Sequence, residues 1–435
     1  MIIAALASAP GRAGISVIRV SGKECLKVLG RFLSLKKKPE FNRIYLTDFI
    51  SGKDKIDEVT IVFFEEGCSY TGEESAEIFC HGSPLIVKKI LEVLYSVKGV
   101  REAEPGEFTQ RRFMNGKMDL VQAEAVIDLI NSESEAGYAA SREQLEGGLS
   151  EELKKISSML VDLVSVLELE LDFSEEDLES TPKADIEAKM DDAVTVINKF
   201  IQGYKKGRIF KDGIRVALAG EVNVGKSSLM NALLKSDRVI VTDIAGTTRD
   251  TIEESIEVGG WMLRLTDTAG IRETGDVIET EGIRRSKKLL EEADIVLHII
   301  DSANPGQAKI AGKNVIKVYN KSDLKRVKTS GKDSILISCR TGEGIDELKD
   351  LIVKKAAGDN LTYQPYYISN LRHLNILKET EKLLEQTRVT LKESNTYEVI
   401  IVDLRAALDK LGEITGQTTS IDIINNIFGK FCIGK

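Results

Sequence analysis

Apolar residues at Leu149, Leu153, Ile156, Leu160, Leu163 and Leu167 recur in steps of four and three, with charged residues between them. That spacing lays one apolar stripe along a helix. It predicts either a bundle helix packed on its own neighbours or a dimerising coiled coil. Helical periodicity begins at Asp119 and returns after Pro365, at Leu371, Leu374, Leu377, Val402, Leu408 and Leu411. Between these stretches the period changes. Short β-branched runs at 214–220, 261–267, 295–301, 315–320 and 335–338 alternate with helical or polar segments. Such alternation predicts a parallel sheet covered by helices. The first 117 residues follow a third pattern, with strand-like runs at 15–20 and 59–64. Helical spacing at Leu85, Ile86, Ile90, Leu91 and Leu94 completes an α+β reading. Residues 1–9 are apolar but lack a preceding positive segment, and Pro10 to Gly14 reads as a turn. A buried strand is therefore expected rather than a signal-peptide core.

These shifts divide the chain into an N-terminal α+β domain at 1–117, a helical domain in two parts at 118–210 and 358–435, and an inserted α/β domain at 211–357. Insertion is tolerated because domain termini tend to lie close together at the surface. The 435 residues are 42% hydrophobic and 30% charged, as in ordinary globular proteins. No apolar run reaches the ~20 residues that span a bilayer, so no membrane partner is expected. The cysteines, Cys25, Cys68, Cys80, Cys339 and Cys432, are five in number and form no CxxC pair. This argues against a disulfide framework or zinc knuckle and fits a reducing, cytoplasmic setting. The net charge of −9 is concentrated in the two helical segments. That suits a protein partner better than nucleic-acid phosphates.

The inserted domain carries the strongest chemistry. Gly220-Glu-Val-Asn-Val-Gly-Lys-Ser227 fits GxxxxGK[ST] after a strand and before a helix. Glycines at 220 and 225 allow successive amides to turn inward as an anion cradle, and the helix N-terminus adds favourable potential. The expected contacts are Asn223, Val224, Gly225, Lys226, Ser227 and Ser228. Lys226 would serve the β/γ-phosphates, and the Ser227 hydroxyl a Mg²⁺ ion. Asp267, Thr268, Ala269 and Gly270 form a DxxG element whose aspartate can hold Mg²⁺ through water. Thr242, Asp243, Ile244, Ala245, Gly246, Thr247 and Thr248 lie on a polar loop, from which one threonine should reach the metal. Asn320, Lys321, Ser322 and Asp323 end a strand. The Asp323 carboxylate, if buried, pairs with guanine N1–H and the 2-amino group and would be left unpaired by adenine. Ser338, Cys339 and Arg340 would close over the base. Together these motifs predict a Ras-like P-loop domain that binds and hydrolyses GTP.

Ras-like proteins place a glutamine just after DxxG to orient water. Here Ile271 stands there, leaving Glu279 and Glu281 as local candidates. Asn223 either caps a turn or ligates a monovalent cation that offsets transition-state charge.

These motifs, the loop Thr242-Asp-Ile-Ala-Gly-Thr-Thr-Arg-Asp250 and the terminal Cys432-Ile-Gly-Lys435 resemble the tRNA modification GTPase MnmE (TrmE) family. Ala9 to Gly22, Tyr70-Thr-Gly-Glu73, Cys80-His-Gly82, Pro105 to Thr109 and Arg112 to Lys117 extend the resemblance over the whole chain. The resemblance implies a homodimer that works on tRNA with an FAD-dependent partner protein in a hetero-oligomer. The pair adds an aminomethyl-type group at C5 of the wobble uridine. It implies K⁺-dependent pairing of GTPase domains and a 5-formyl- or methylene-tetrahydrofolate donor. By position, Arg19, Glu77, Lys117 and Lys435 match folate contacts. Asn223, Thr242, Ile244 and Thr247 match a potassium site, and Ser227 and Thr248 the Mg²⁺ ligands. Glu279 matches the acid that positions water, and Cys432 becomes a candidate catalytic thiolate beside Lys435. Val222 stands where the family commonly has proline, and Cys339 where it has alanine; neither change removes a ligand atom. Without the family, Arg19 and Glu77 read as surface or ion-pair residues, and His81 as a loop or cap histidine. A ribosome-assembly GTPase and a non-enzymatic GTP switch are the competing readings.

Overall fold

The computed structural model describes residues 1–172, 181–235, 253–267, 288–305, 310, 312, 314–327, 331–358, 362–393 and 397–435. The chain forms two compact units, Met1–Ile127 with Arg405–Lys435, and Asp128–Leu404.

The first unit is built on a six-stranded sheet of order β3-β4-β5-β2-β1-β6. Its elements are β1 (Ile2–Leu6), β2 (Ile15–Ser21), α1 (Cys25–Leu29), β3 (Ile44–Ser51), β4 (Asp54–Phe64) and β5 (Ser75–His81). They are followed by α2 (Pro84–Tyr95), β6 (Val100–Glu102), α3 (Glu107–Met114) and α4 (Leu120–Ile130). All ladders are antiparallel except β1–β6. The apolar N-terminus is the strand expected, with Ile3, Ala4 and Ala5 buried. On α2 the buried face is Val87, Ile90 and Leu94, while Leu85 is exposed. The apolar count of that helix was right, but its inward face is rotated from Leu85.

In the second unit, α5 (Glu135–Leu145), α6 (Gly148–Asp172) and the long α7 (Lys183–Asp212) precede a six-stranded sheet of order β12-β11-β10-β7-β9-β8. It comprises β7 (Ile214–Ala219), α8 (Lys226–Lys235), β8 (Glu253–Val258), β9 (Trp261–Asp267), β10 (Ile295–Asp301), β11 (Val315–Asn320), β12 (Ser334–Leu336) and α9 (Ile345–Ala357). The ladders are parallel except β8–β9. The last strand ends at Leu336, earlier than the 335–338 run suggested. Helix α10 (Leu371–Glu393) follows, then α11 (Tyr397–Thr415), which runs into the first unit, and α12 (Ile421–Phe428).

The α6 stripe is buried along its length, with Leu149, Ile156, Leu160, Leu163 and Leu167 all at 0% exposure. Its seam is consumed within its own unit, so the bundle reading holds and no stripe is left for a coiled coil. Val402 and Leu371, expected on the apolar faces of their helices, are exposed. On α11, Ile400, Ile401, Leu404, Ala407, Leu411 and Ile414 form the buried face.

Candidate functional site

Strand β7 is buried except at Arg215 and delivers Gly220 at its end. Gly220 and Gly225 adopt φ of 155° and 102°, with Asn223 between them at 66°. A Cβ on Gly220 would stand 2.5 Å from the Ile299 carbonyl oxygen, and one on Gly225 would strike the Asn320 carboxamide. Only glycine fits either place. Lys226 opens α8, and its Nζ donates to the carbonyls of Gly220 (2.9 Å) and Glu221 (2.8 Å). The ammonium is thus parked on the loop carbonyls that anionic phosphate oxygens would replace. Ser227 and Ser228 follow on the exposed face of the first turn. Asp267, the last residue of β9, stands opposite Leu218 of β7 in register.

The base-side loops are tied to this cradle by side chains. Asn320, 2% exposed, donates from Nδ2 to the Val224 carbonyl (3.0 Å), and its Oδ1 accepts from the Cys339 amide (3.2 Å). Lys321, at φ 66°, donates to the Asn223 carbonyl (3.1 Å) and to Asp301 Oδ2 (2.6 Å). That hydrogen bond holds the Asp301 carboxyl below its ordinary range. Ser338 Oγ donates to Asp323 Oδ1 (2.7 Å), and Arg340 lies 3.9 Å from Oδ2. The Asp323 side chain is 18% exposed, an open-sided carboxylate rather than a fully buried one. Ser322 donates to Glu343 (3.2 Å), which also accepts from Arg326 at 2.5 Å. Burial pushes the Cys339 thiol up to about 11, so it stays a neutral filler.

Asp301 and Glu343 escaped the sequence reading. Asp301 had a findable signal, because it ends β10 level with Asn320 at the end of β11. Thr242, Asp243, Ile244, Ala245, Gly246, Thr247, Thr248, Thr268, Ala269, Gly270, Ile271, Glu279 and Glu281 lie outside the described residues.

A second cluster forms in the first unit. Arg19 on β2 and Glu77 on β5 are opposite in register and pair through Nε (3.0 Å) and NH2 (2.9 Å). The Arg19 guanidinium lies 4.6 Å from the Tyr70 ring centroid and 5.6 Å from that of Phe108. Arg112 covers the same tyrosine at 5.0 Å. The last residues of the chain complete the cluster. The Phe108 amide donates to the Lys435 carbonyl (3.2 Å), and the Gly106 amide to that of Cys432 (3.4 Å). The tail is held there by Phe428 and Phe431, packed with Met118, Leu120 and Ala123. Burial, then the Arg19 charge, lowers the Lys435 pKa, while Glu77 and Cys432 pull the other way. Lys117 donates to the Gly67 carbonyl (2.9 Å), and its backbone amide to that of Arg112 (3.0 Å). Cys432 is exposed. The structure therefore gathers Arg19, Glu77, Lys435 and Cys432 from opposite ends of the chain. Tyr70 and Arg112 lay within quoted motifs but carried no role.

His81 caps a buried carboxylate, its Nδ1 lying 2.7 Å from Asp57 Oδ1. Among the described residues no group of three or more His, Cys, Asp or Glu side chains is arranged to hold a metal. No helix among them is long and apolar enough to cross a membrane.

The family model of the MnmE helical domain matches residues 120–432, and that of the GTP-binding protein TrmE N-terminus matches residues 2–117. The tRNA modification GTPase MnmE of Aquifex aeolicus is 39% identical over 447 residues, covering 100% of this chain and 99% of its own length. That of Geobacter metallireducens is 39% identical over 452 residues, with the same coverage of 100% and 99%. Among solved structures, the G domain of the T. maritima FeoB iron transporter is 30% identical and covers 33% of this chain and 98% of its own. Its TM-score is 0.25, which carries no structural argument.

Proposed function

The chain belongs to the MnmE family of tRNA modification GTPases, and from that premise we propose that its GTP hydrolysis is potassium-stimulated and serves wobble-uridine modification. With an FAD-dependent partner protein it would install an aminomethyl-type, carboxymethylaminomethyl, group at C5 of that uridine in certain tRNAs. GTP and Mg²⁺ follow from the family; K⁺ and a tetrahydrofolate donor are part of the proposal, as are the homodimer and the cytoplasm.

The observation that supports this best is the assembly at the joined chain ends. Arg19 NH1 is buried with no hydrogen-bond partner, in a guanidinium that lies over the Tyr70 and Phe108 rings. An unpaired buried guanidinium N–H is costly, so the cluster is built for an acceptor that it does not supply itself. A folate fits, with polar edges for Arg19 and Glu77 to meet. When bound, the folate supplies the one-carbon unit. Arg19, Glu77, Lys117 and Lys435 would hold and orient it, and Cys432, exposed beside them, is the candidate nucleophile.

At the nucleotide, the glycine cradle and Lys226 fit phosphates, and Asp323 fits the guanine edge. Ser227 and Thr248 would hold Mg²⁺; Asn223, Thr242, Ile244 and Thr247 would hold K⁺. Glu279 is assigned to the attacking water. Deleting the gene in its source organism and profiling tRNA nucleosides by mass spectrometry tests the reading. The C5-aminomethyl-type uridines should vanish and return with the wild-type gene. An unchanged profile would move the protein to another pathway, with ribosome assembly tested next.

A further inference from the structure

Strands β8 and β9 form a hairpin at the edge of the second sheet, and its two ends meet different partners. The turn is Gly259-Gly260, with φ of 56° and 83°. Two successive left-handed residues suit a tight turn that matches strand twist. At this tip the Gly260 carbonyl accepts from the Ala136 amide in the first turn of α5 (3.0 Å). Trp261, next in sequence, packs on Phe210 near the end of α7, with ring centroids 4.8 Å apart. Arg264, farther along β9, donates to the Asp212 carbonyl (2.6 Å). The other end of β9 is Asp267, level with the strand that feeds the phosphate loop. At ~3.3 Å per residue, tip and Asp267 are about 20 Å apart.

We propose that this hairpin is a positioning element for GTP hydrolysis, a stiff arm clamped on α5 and α7 that sets Asp267 against the phosphate loop. It rests on the assignment of Asp267 to the metal side of the nucleotide. Three observations carry it. The clamp uses backbone and ring contacts at the tip, where a displacement moves the whole strand. Strand β9 is laddered to β7 from Leu263 to Asp267, so the clamped tip and the phosphate-loop strand are joined through one continuous hydrogen-bonded strand. In sequence, β8 follows the loop at 246–250 and β9 runs into the DxxG element, so one hairpin joins both metal-side segments. Rigid secondary elements are among the physical carriers of coupling between distant sites. The consequence is reciprocal: nucleotide occupancy is felt at α5, and the clamp is felt at the metal.

Trp261 is the chain's single tryptophan, which makes the clamp its own reporter. In the full chain, Ala136→Pro deletes the amide that holds Gly260, at a first-turn position that tolerates proline. The Ser134 cap on Gly137 (3.2 Å) is left in place. The kcat for GTP should fall at least about 5-fold, the lower end of ordinary site coupling, with KM moving less than about twofold. Wild-type Trp261 emission should shift when Mg²⁺ and a non-hydrolysable GTP analogue are added, and the variant should lose that response. Ala136→Gly keeps the amide and should behave as wild type, which a purely structural role for the side chain would not allow. If Ala136→Pro does not fold, Phe210→Leu breaks the ring contact with the same readouts. Wild-type kcat in the clamp variant overturns the proposal. So does unchanged wild-type emission while calorimetry records nucleotide binding. Absence of any binding heat overturns the nucleotide-site assignment itself, and this inference with it.

Discussion

The phosphate loop draws on one uninterrupted stretch, residues 220–227, whereas Arg19, Glu77 and Lys435 come from two strands and the last residue of the chain. The difference follows from what each site is proposed to hold. Phosphate is gripped by backbone amides, so its site is a local chain path that glycine spacing writes out directly. A flat organic ring is gripped by side chains from several directions, and only the fold brings these together. The first kind of site tolerates distant change and fails at single residues. The second depends on the packing that closes the chain ends, Phe428 and Phe431 against Leu120.

The largest break in this comparison is Lys226→Ala. The ammonium already lies 2.8–2.9 Å from the loop carbonyls. Its loss should lower kcat/KM for GTP about 10³-fold, or roughly 4 kcal/mol, as when a preorganised donor is removed from developing charge. Binding of 5-formyl-tetrahydrofolate, followed by calorimetry, should not change. A parallel loss of folate binding would show that the two sites are not separately built.

Acid should act on the other region first. Glu107 accepts from Arg101 at 2.6 and 2.7 Å, from Arg111 at 2.8 Å and from the Glu104 amide at 3.0 Å. Burial alone would raise its pKa, but these bonds win and lower it from 4.5 to about 2. The unfolded chain therefore binds the proton first. The stabilisation is complete above pH 4.5 and drains as pH falls toward about 2, at most about 3 kcal/mol. Glu107→Gln should flatten that window. Hydrogen exchange of peptides from residues 100–115, compared at pH 3 and pH 6, reads it out. Equal pH dependence in the variant and the wild type would remove Glu107 from the account.

How far the sequence revealed each region follows the same division. Five of the six strands of the second sheet, all but β8, and the α6 stripe were legible because burial on both faces, or on one helical face, leaves a plain period. The β3–β4 hairpin was partly missed: Ile44 and Leu46 are 72% and 69% exposed, so its alternation does not separate inside from outside. On α11 the pair Ile400 and Ile401 carries the buried face, and Val402 beside them points to water. Apolar identity alone could not rank three neighbours. Lys226, Asn320 and Asp323 were readable from spacing. Arg19 and Lys435 were readable only through family resemblance, since nothing local ties a strand arginine to a residue more than 400 positions later.

A smaller effect tests the assembled site. Arg19→Ala removes a charged donor set and the cation over Tyr70. Affinity for the folate should fall about 10–30-fold, in line with hydrogen bonds to charged groups. Uncoupled GTP turnover should persist. If folate affinity is retained, the acceptor for Arg19 NH1 is some other molecule.

The smallest expected change lies one step behind the proposed guanine contact. Ser338 is fully buried, donates to Asp323 at 2.7 Å and accepts from the Thr341 amide at 3.3 Å. Ser338→Ala unties the carboxylate without removing it and leaves the Thr341 amide short of an acceptor. GDP should bind about 5-fold more weakly, close to 1 kcal/mol for one net hydrogen bond. The ratio of GDP to IDP affinity should hardly move, because Asp323 still meets the 2-amino group that inosine lacks. Asp323→Asn, by contrast, should collapse that ratio. If Ser338→Ala collapses it as well, the hydroxyl itself sets the carboxylate's aim, and the open side of Asp323 is less important to guanine choice than the loop that closes over it.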